Sequence, residues 1–162
     1  MKTFIKFAIW IPVILMAAVI FGFSTQSGLK SSGLSRRVAA LVIDCSESMG
    51  IAAVDELQRE QYIECLQVPI RKGAHMTEYA VLFTLVFIAL TVDRVVIKLR
   101  YCMSFAMTFF FACTDEIHQL YVPGRSGSIA DVFIDSCGCF IAMALIFIVL
   151  KHIRKNSLHK TD

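Results

Sequence analysis

Two stretches of this 162-residue chain place acid, base and anion-binding side chains at helical spacing. In the first, RKGAHMTEY over residues 71–79, Arg71, His75, Glu78 and Tyr79 fall at i, i+4, i+7 and i+8 and share one helix face, with Lys72 beside them. In the second, over residues 115–135, Asp115, His118 and Gln119 fall at i, i+3 and i+4, with Glu116 turned by about 100°. A Pro-Gly-Arg turn then presents Arg125, and Asp131 and Asp135 follow at i, i+4. A carboxyl beside an imidazole can exchange protons, and a guanidinium fork suits phosphate or carboxylate. His75, Glu78, Asp115 and Glu116 are therefore the candidate acid–base groups. Arg71 and Arg125 are the candidate holders of an anionic group, joined by Lys72, Tyr79, Gln119, Asp131 and Asp135 as candidate substrate contacts. Ser24 and Gln26, at the end of the first apolar run, complete the set.

Other chemistries use the same residue types. His75, Glu78, Asp115 and His118 are of metal-ligating type, yet no strong spacing such as HExxH occurs, and no motif identifies a cofactor. A Ser-His-Asp hydrolase would need Ser24 or Ser126 beside a histidine, and nothing resembles a nucleophile elbow. The plain structural reading is that the charges pair with one another to hold a bundle together; buried ion pairs are weak sources of stability.

The surroundings of these residues narrow the setting. Hydrophobic residues make up 57% of the chain, and near-continuous apolar runs flank both stretches, which describes a polytopic membrane protein. An ionisable group at the centre of a bilayer costs about 2.5–3.5 kcal/mol on insertion scales, so a cluster of them marks a site. The net charge of +3 comes from dispersed lysines and arginines, so no nucleic-acid partner is indicated. Six cysteines show no zinc spacing; Cys45 and Cys65 can pair only if the region joining them is extracytoplasmic.

The pattern predicts an all-α membrane protein, a four-transmembrane-helix bundle with amphipathic helices between spans one and two. The spans are expected near residues 7–24, 73–92, 101–122 and 129–150, in a single domain. The insert, residues 25–72, carries Leu34, Val38, Leu41, Val42, Cys45 and Met49 at helical spacing, and a second, more charged helix over residues 55–67. Short basic segments containing Lys2, Lys6, Arg94, Lys98, Arg100, Lys151, Arg154, Lys155 and Lys160 put both termini in the cytoplasm. All the candidate site residues then gather at one depth, on the extracytoplasmic side.

Three motifs carry a resemblance. FSTQS after the first span, RKGAHMTEYAVL at the second, and DEIHQLYVPGRSGSIADVFIDSCG at the third and fourth resemble those of the VanZ-like family of bacterial multi-pass membrane proteins. The chain departs from that pattern at Asp135, where the family commonly has Asn. The resemblance implies a protein of the bacterial cytoplasmic membrane, connected with the cell envelope and with resistance to teicoplanin-type glycopeptides. It implies membrane lipid, a lipid-linked cell-wall precursor or a lipoglycopeptide as partners, and it carries no established reaction. The functional expectation is an outward-facing polar site that binds or modifies a lipid-linked or anionic headgroup substrate. A non-catalytic lipid- or drug-binding protein and a small proton-coupled transporter stand as alternatives; the apolar inner halves of the spans disfavour the transporter.

Overall fold

The computed structural model describes residues 6–51 and 54–158. The protein is all-α, 85% helical, with no strand among the described residues. Among the described residues five helices follow in order: α1 (Ile11–Ser24), α2 (Gly28–Ser48), α3 (Glu56–Val92), α4 (Ile97–Gln119) and α5 (Ile129–Leu158). Among the described residues three helical segments are long and apolar enough to cross a membrane, Lys6–Ser24, Gln58–Val92 and Ile129–Ser157. The 23 residues of α4 reach about 34 Å, enough to match a hydrocarbon core of about 30 Å. Its two ends are polar, however, with Lys98 and Arg100 at one and Asp115, Glu116 and His118 at the other.

The central element is α3. Its 37 residues correspond to about 55 Å, far more than a bilayer core requires. The separate helix expected over residues 55–67 and the span expected from residue 73 are continuous here. Asp55 caps the start by accepting from the Glu56 N–H at 2.8 Å, and Pro69 lies inside the helix without ending it. Gly73 is no break either, because a glycine inside a helix costs only about 1 kcal/mol and no turn residue accompanies it. At the far end α5 likewise continues beyond residue 150 into the basic segment, where no glycine or proline interrupts it. The extreme termini, which carry Lys2 and Lys160, lie outside the described residues.

Two separate cores form along α3. Its C-terminal half supplies Tyr79, Leu82, Phe83, Val86 and Leu90 to the main core, against Val13 and Ile20 of α1, Ala112 of α4, and Val132, Cys139 and Ala142 of α5. Its N-terminal half pairs with α2 as a helical hairpin, through Ala39, Ile43 and Ile63 with Leu66 and Ile70 alongside. Arg36 with Glu60, and Arg59 with Asp44 and Glu47, form ion pairs along the hairpin's polar edge. The opposite end of the bundle is tied by Trp10, whose indole N–H donates to Asp93 at 3.0 Å in the α3–α4 turn. Apolar side chains such as Leu15, Phe110, Leu145 and Phe147 face outward, as lipid-facing surface does. All six cysteines are free thiols, Cys45 and Cys65 included, and both of these are exposed.

Close backbone approach fixes how the helices meet. A Cβ added at Gly138 would lie 2.0 Å from the Met76 carbonyl oxygen, so α5 touches the α3 backbone there. A Cβ at Gly28 would lie 1.8 Å from the Gly124 carbonyl oxygen. The Gly28 N–H donates to the Pro123 carbonyl at 3.1 Å, and Gly124 itself has φ +73°. The start of α2 is therefore pinned to the α4–α5 turn. Gly138→Val is expected to lower the thermal midpoint of the detergent-purified protein, overpacking being worth about 1–3 kcal/mol or more. Gly22→Ala, inside α1 at a position with nothing within 4 Å, is expected to hold or raise that midpoint.

Candidate functional site

The polar residues collect where α3 passes from one core to the other, against the ends of α1 and α4 and the start of α5. Eight of them line a pocket of about 110 Å³: Arg71, Lys72, His75, Glu116, Gln119, Arg125, Asp131 and Asp135. A second cavity of about 270 Å³ adjoins it and shares Arg71, His75 and Arg125; Gln26 and Glu78 line this one. The remaining three sequence candidates line neither cavity. Ser24, Tyr79 and Asp115 are buried, with relative exposures of 0%, 0% and 1%, and the Ser24 hydroxyl sits beside the Asp115 carboxyl.

One knot of hydrogen bonds holds the pocket. The Gln119 side-chain amide donates to Glu116 Oε1 at 2.8 Å and to Asp115 Oδ2 at 3.2 Å. Its oxygen accepts from Arg125 Nη1 at 3.3 Å. Arg125 also donates to the Phe23 carbonyl at 3.0 Å and the Gln26 carbonyl at 3.2 Å. These carbonyls follow from the geometry of a helix end, where the last C=O groups have no intrahelical partner. The other Glu116 oxygen accepts the Ser128 N–H at 2.8 Å, which anchors the start of α5. Lys72 and Asp131 pair at 2.9 Å across the rim.

Two features of this arrangement bear on chemistry. Arg125 forms no ion pair with a carboxylate, and Arg71 has no hydrogen bond or ion pair among the described residues. Burial, and after it the neighbouring Arg71 charge, push the Arg125 guanidinium below its ordinary value. Two guanidinium groups, neither in an ion pair, thus face one polar cavity that Lys72, Glu116, Asp131 and Asp135 also line. Separately, His75 Nδ1 and Glu78 Oε2 stand 3.4 Å apart, yet neither makes an aligned hydrogen bond. Ser24 Oγ, Tyr79 Oη and Asp115 Oδ1 are also buried without a hydrogen-bond partner. Leaving such an atom unsatisfied costs about 1–3 kcal/mol, and five of the eight such atoms among the described residues lie in this cluster.

His118 lines neither cavity; its ring lies against Phe21, centroids 4.5 Å apart and planes tilted by 33°. Among the described residues no group of three or more His, Cys, Asp or Glu side chains is arranged to hold a metal ion. The sequence reading missed the backbone partners of Arg125 and Glu116, which carry no residue-type signal. It also missed Leu34, Val38 and Ile70 as walls of the second cavity. The apolar period of α2 was visible, but not the element it would face.

Gln119→Leu is expected to destabilise the protein by about 1–3 kcal/mol, since it strips a shared donor from two buried carboxyls and an acceptor from Arg125. Chemical unfolding in detergent measures this. An Arg125→Lys change is expected not to substitute for the wild type, because one ammonium cannot span both the Phe23 and Gln26 carbonyls as the planar fork does.

No curated protein and no solved structure gives a significant match. The VanZ/LLP1 family model matches residues 9–150, a stretch that takes in all three sequence motifs and every residue of both cavities. With most of its length covered, the chain belongs to the VanZ/LLP1 family of membrane proteins.

Proposed function

We propose that this protein acts at the outer face of the cytoplasmic membrane in cell-envelope physiology, by holding the anionic part of a lipid-linked or headgroup substrate. The observation that carries this reading is the pair Arg71 and Arg125, two guanidinium groups without carboxylate partners that line both cavities. Arg is suited to bidentate recognition of phosphate and carboxylate, and neither guanidinium is engaged by the Glu116, Asp131 and Asp135 carboxyls that line the same pocket. Family membership supports a connection with glycopeptide resistance of the teicoplanin type.

In this reading α4 is a fourth span, both termini are cytoplasmic, and the pocket opens outward. The basic residues Arg94, Lys98, Arg100, Lys151, Arg154 and Lys155 at one end of the bundle support that orientation. Proton exchange falls to His75 and Glu78, whose facing atoms are uncommitted. Asp115 and Glu116 share the Gln119 amide, and Glu116 takes the Ser128 N–H as well, so these two carboxyls chiefly position Gln119 and Arg125. Lys72 and Asp131 form one rim of the pocket, and Asp135 faces into it. A binder without catalysis uses the same arginines, and is favoured to the extent that the carboxyls are already engaged.

The test is expression in a teicoplanin-susceptible bacterium. Arg71→Gln is expected to abolish any gain in resistance while membrane abundance stays normal; full retention of the gain would remove Arg71 from the site. His75→Gln and Glu78→Gln separate the two readings. Loss of function in both, at normal abundance and with retained phosphate-ligand binding, is the result expected of acid–base catalysis, where each group contributes about 10²–10⁴-fold. A reporter inserted after Gly50 is expected to be extracytoplasmic, and a cytoplasmic signal there refutes the outward-facing site.

A further inference from the structure

We infer that the second cavity seats the hydrocarbon chain of the ligand, so that an amphiphile binds with its anionic head on Arg71 and Arg125 and its chain running out between the end of α1 and α2. The inference rests on the anion-binding reading above and specifies the substrate class of the same site. Beyond the shared Arg71, His75 and Arg125, five of the nine wall residues are apolar, Phe23, Leu34, Val38, Ile70 and Ala74, with Gln26, Ser31, Ser35 and Glu78 between them. A head and a tail thus have adjoining compartments that meet at the two guanidinium groups.

The cavity also has an apolar route out. Helix α2 turns Ser35, Ala39 and Ile43 inward, and a different face, with Leu34, Val38, Leu41, Val42 and Met49, stays exposed. The i, i+4, i+7, i+8 and i+15 spacing makes that face one stripe. Leu34 and Val38 belong both to this stripe and to the cavity wall, so an acyl or prenyl chain leaving the pocket meets continuous apolar surface. A rival cleft of about 300 Å³ lies between α4 and α5, lined by Ile117, Leu120, Val132 and Phe133. It meets the polar pocket only at Glu116, whose carboxylate is held by Gln119 and the Ser128 N–H. The rival cleft thus shares one side chain with the polar pocket, whereas the second cavity shares three, including both guanidinium groups.

The full-length protein in phosphatidylcholine nanodiscs, with a dodecyl phosphate bearing a diazirine at its chain end, provides the test. Cross-links are expected on Phe23, Leu34, Val38 or Ile70, and inorganic phosphate is expected to compete them away. Val38→Trp, which fills the second cavity from an exposed position, is expected to cut their yield about tenfold while leaving inorganic phosphate binding unchanged. Arg71→Gln is expected to weaken both. Adducts on Leu120 or Phe133, or a Val38→Trp yield equal to wild type, would overturn the chain assignment and leave the arginine site standing. A yield insensitive both to Arg71→Gln and to inorganic phosphate overturns the anion-binding reading itself. Inorganic phosphate binding as tightly as dodecyl phosphate identifies a free-anion site, and the chain assignment then falls.

Discussion

Arg125 holds the site together through bonds that are distant in sequence. Its guanidinium reaches the carbonyls of Phe23 and Gln26, 102 and 99 residues away, and the side chain of Gln119. Gln119 in turn gathers Asp115 and Glu116, and Glu116 secures the start of α5. The ends of α1 and α4 and the beginning of α5 are thereby joined by charge-assisted and amide hydrogen bonds. In a membrane bundle the alternative for such groups is an unsatisfied dipole or charge in hydrocarbon, which costs several kcal/mol. That constraint forces the polar residues of separate helices into a single cluster.

The cluster lies at a change of packing along α3. Toward the C-terminus of that helix, Leu82, Phe83 and Val86 face the main bundle; toward its N-terminus, Ile63, Leu66 and Ile70 face the hairpin partner α2. Arg71, His75 and Glu78 fall between these two cores, where neither apolar surface closes over them. Space for a ligand arises from that mismatch, because tightly interdigitated cores leave few voids. Gly28 against Gly124 and Gly138 against Met76 draw the surrounding segments close enough to bound the space. The layout combines a polar recess with an apolar stripe on α2.

Much of this was legible in the sequence. The apolar runs and the placement of charges at their ends established an all-α membrane protein, and the i, i+3, i+4 spacing showed which polar side chains share a helix face. Motif order identified the family, since those signals depend on residue type and period alone. Three outcomes needed the tertiary structure. Continuity of α3 through Pro69 and Gly73 was not legible because neither residue forces a helix to end, and packing of α2 along the N-terminal half stabilises the longer helix. The division of labour among the acidic residues was hidden as well: Asp115 and Glu116 look alike by composition to Glu78, and only distances show that the first two share Gln119 while Glu78 faces His75. Likewise, the freedom of Arg71 and Arg125 from carboxylates follows from where α1, α4 and α5 end in space. Local sequence carries periodicity and polarity, whereas the anchoring of Arg125 depends on the Phe23 and Gln26 carbonyls roughly a hundred positions away, which no local pattern encodes.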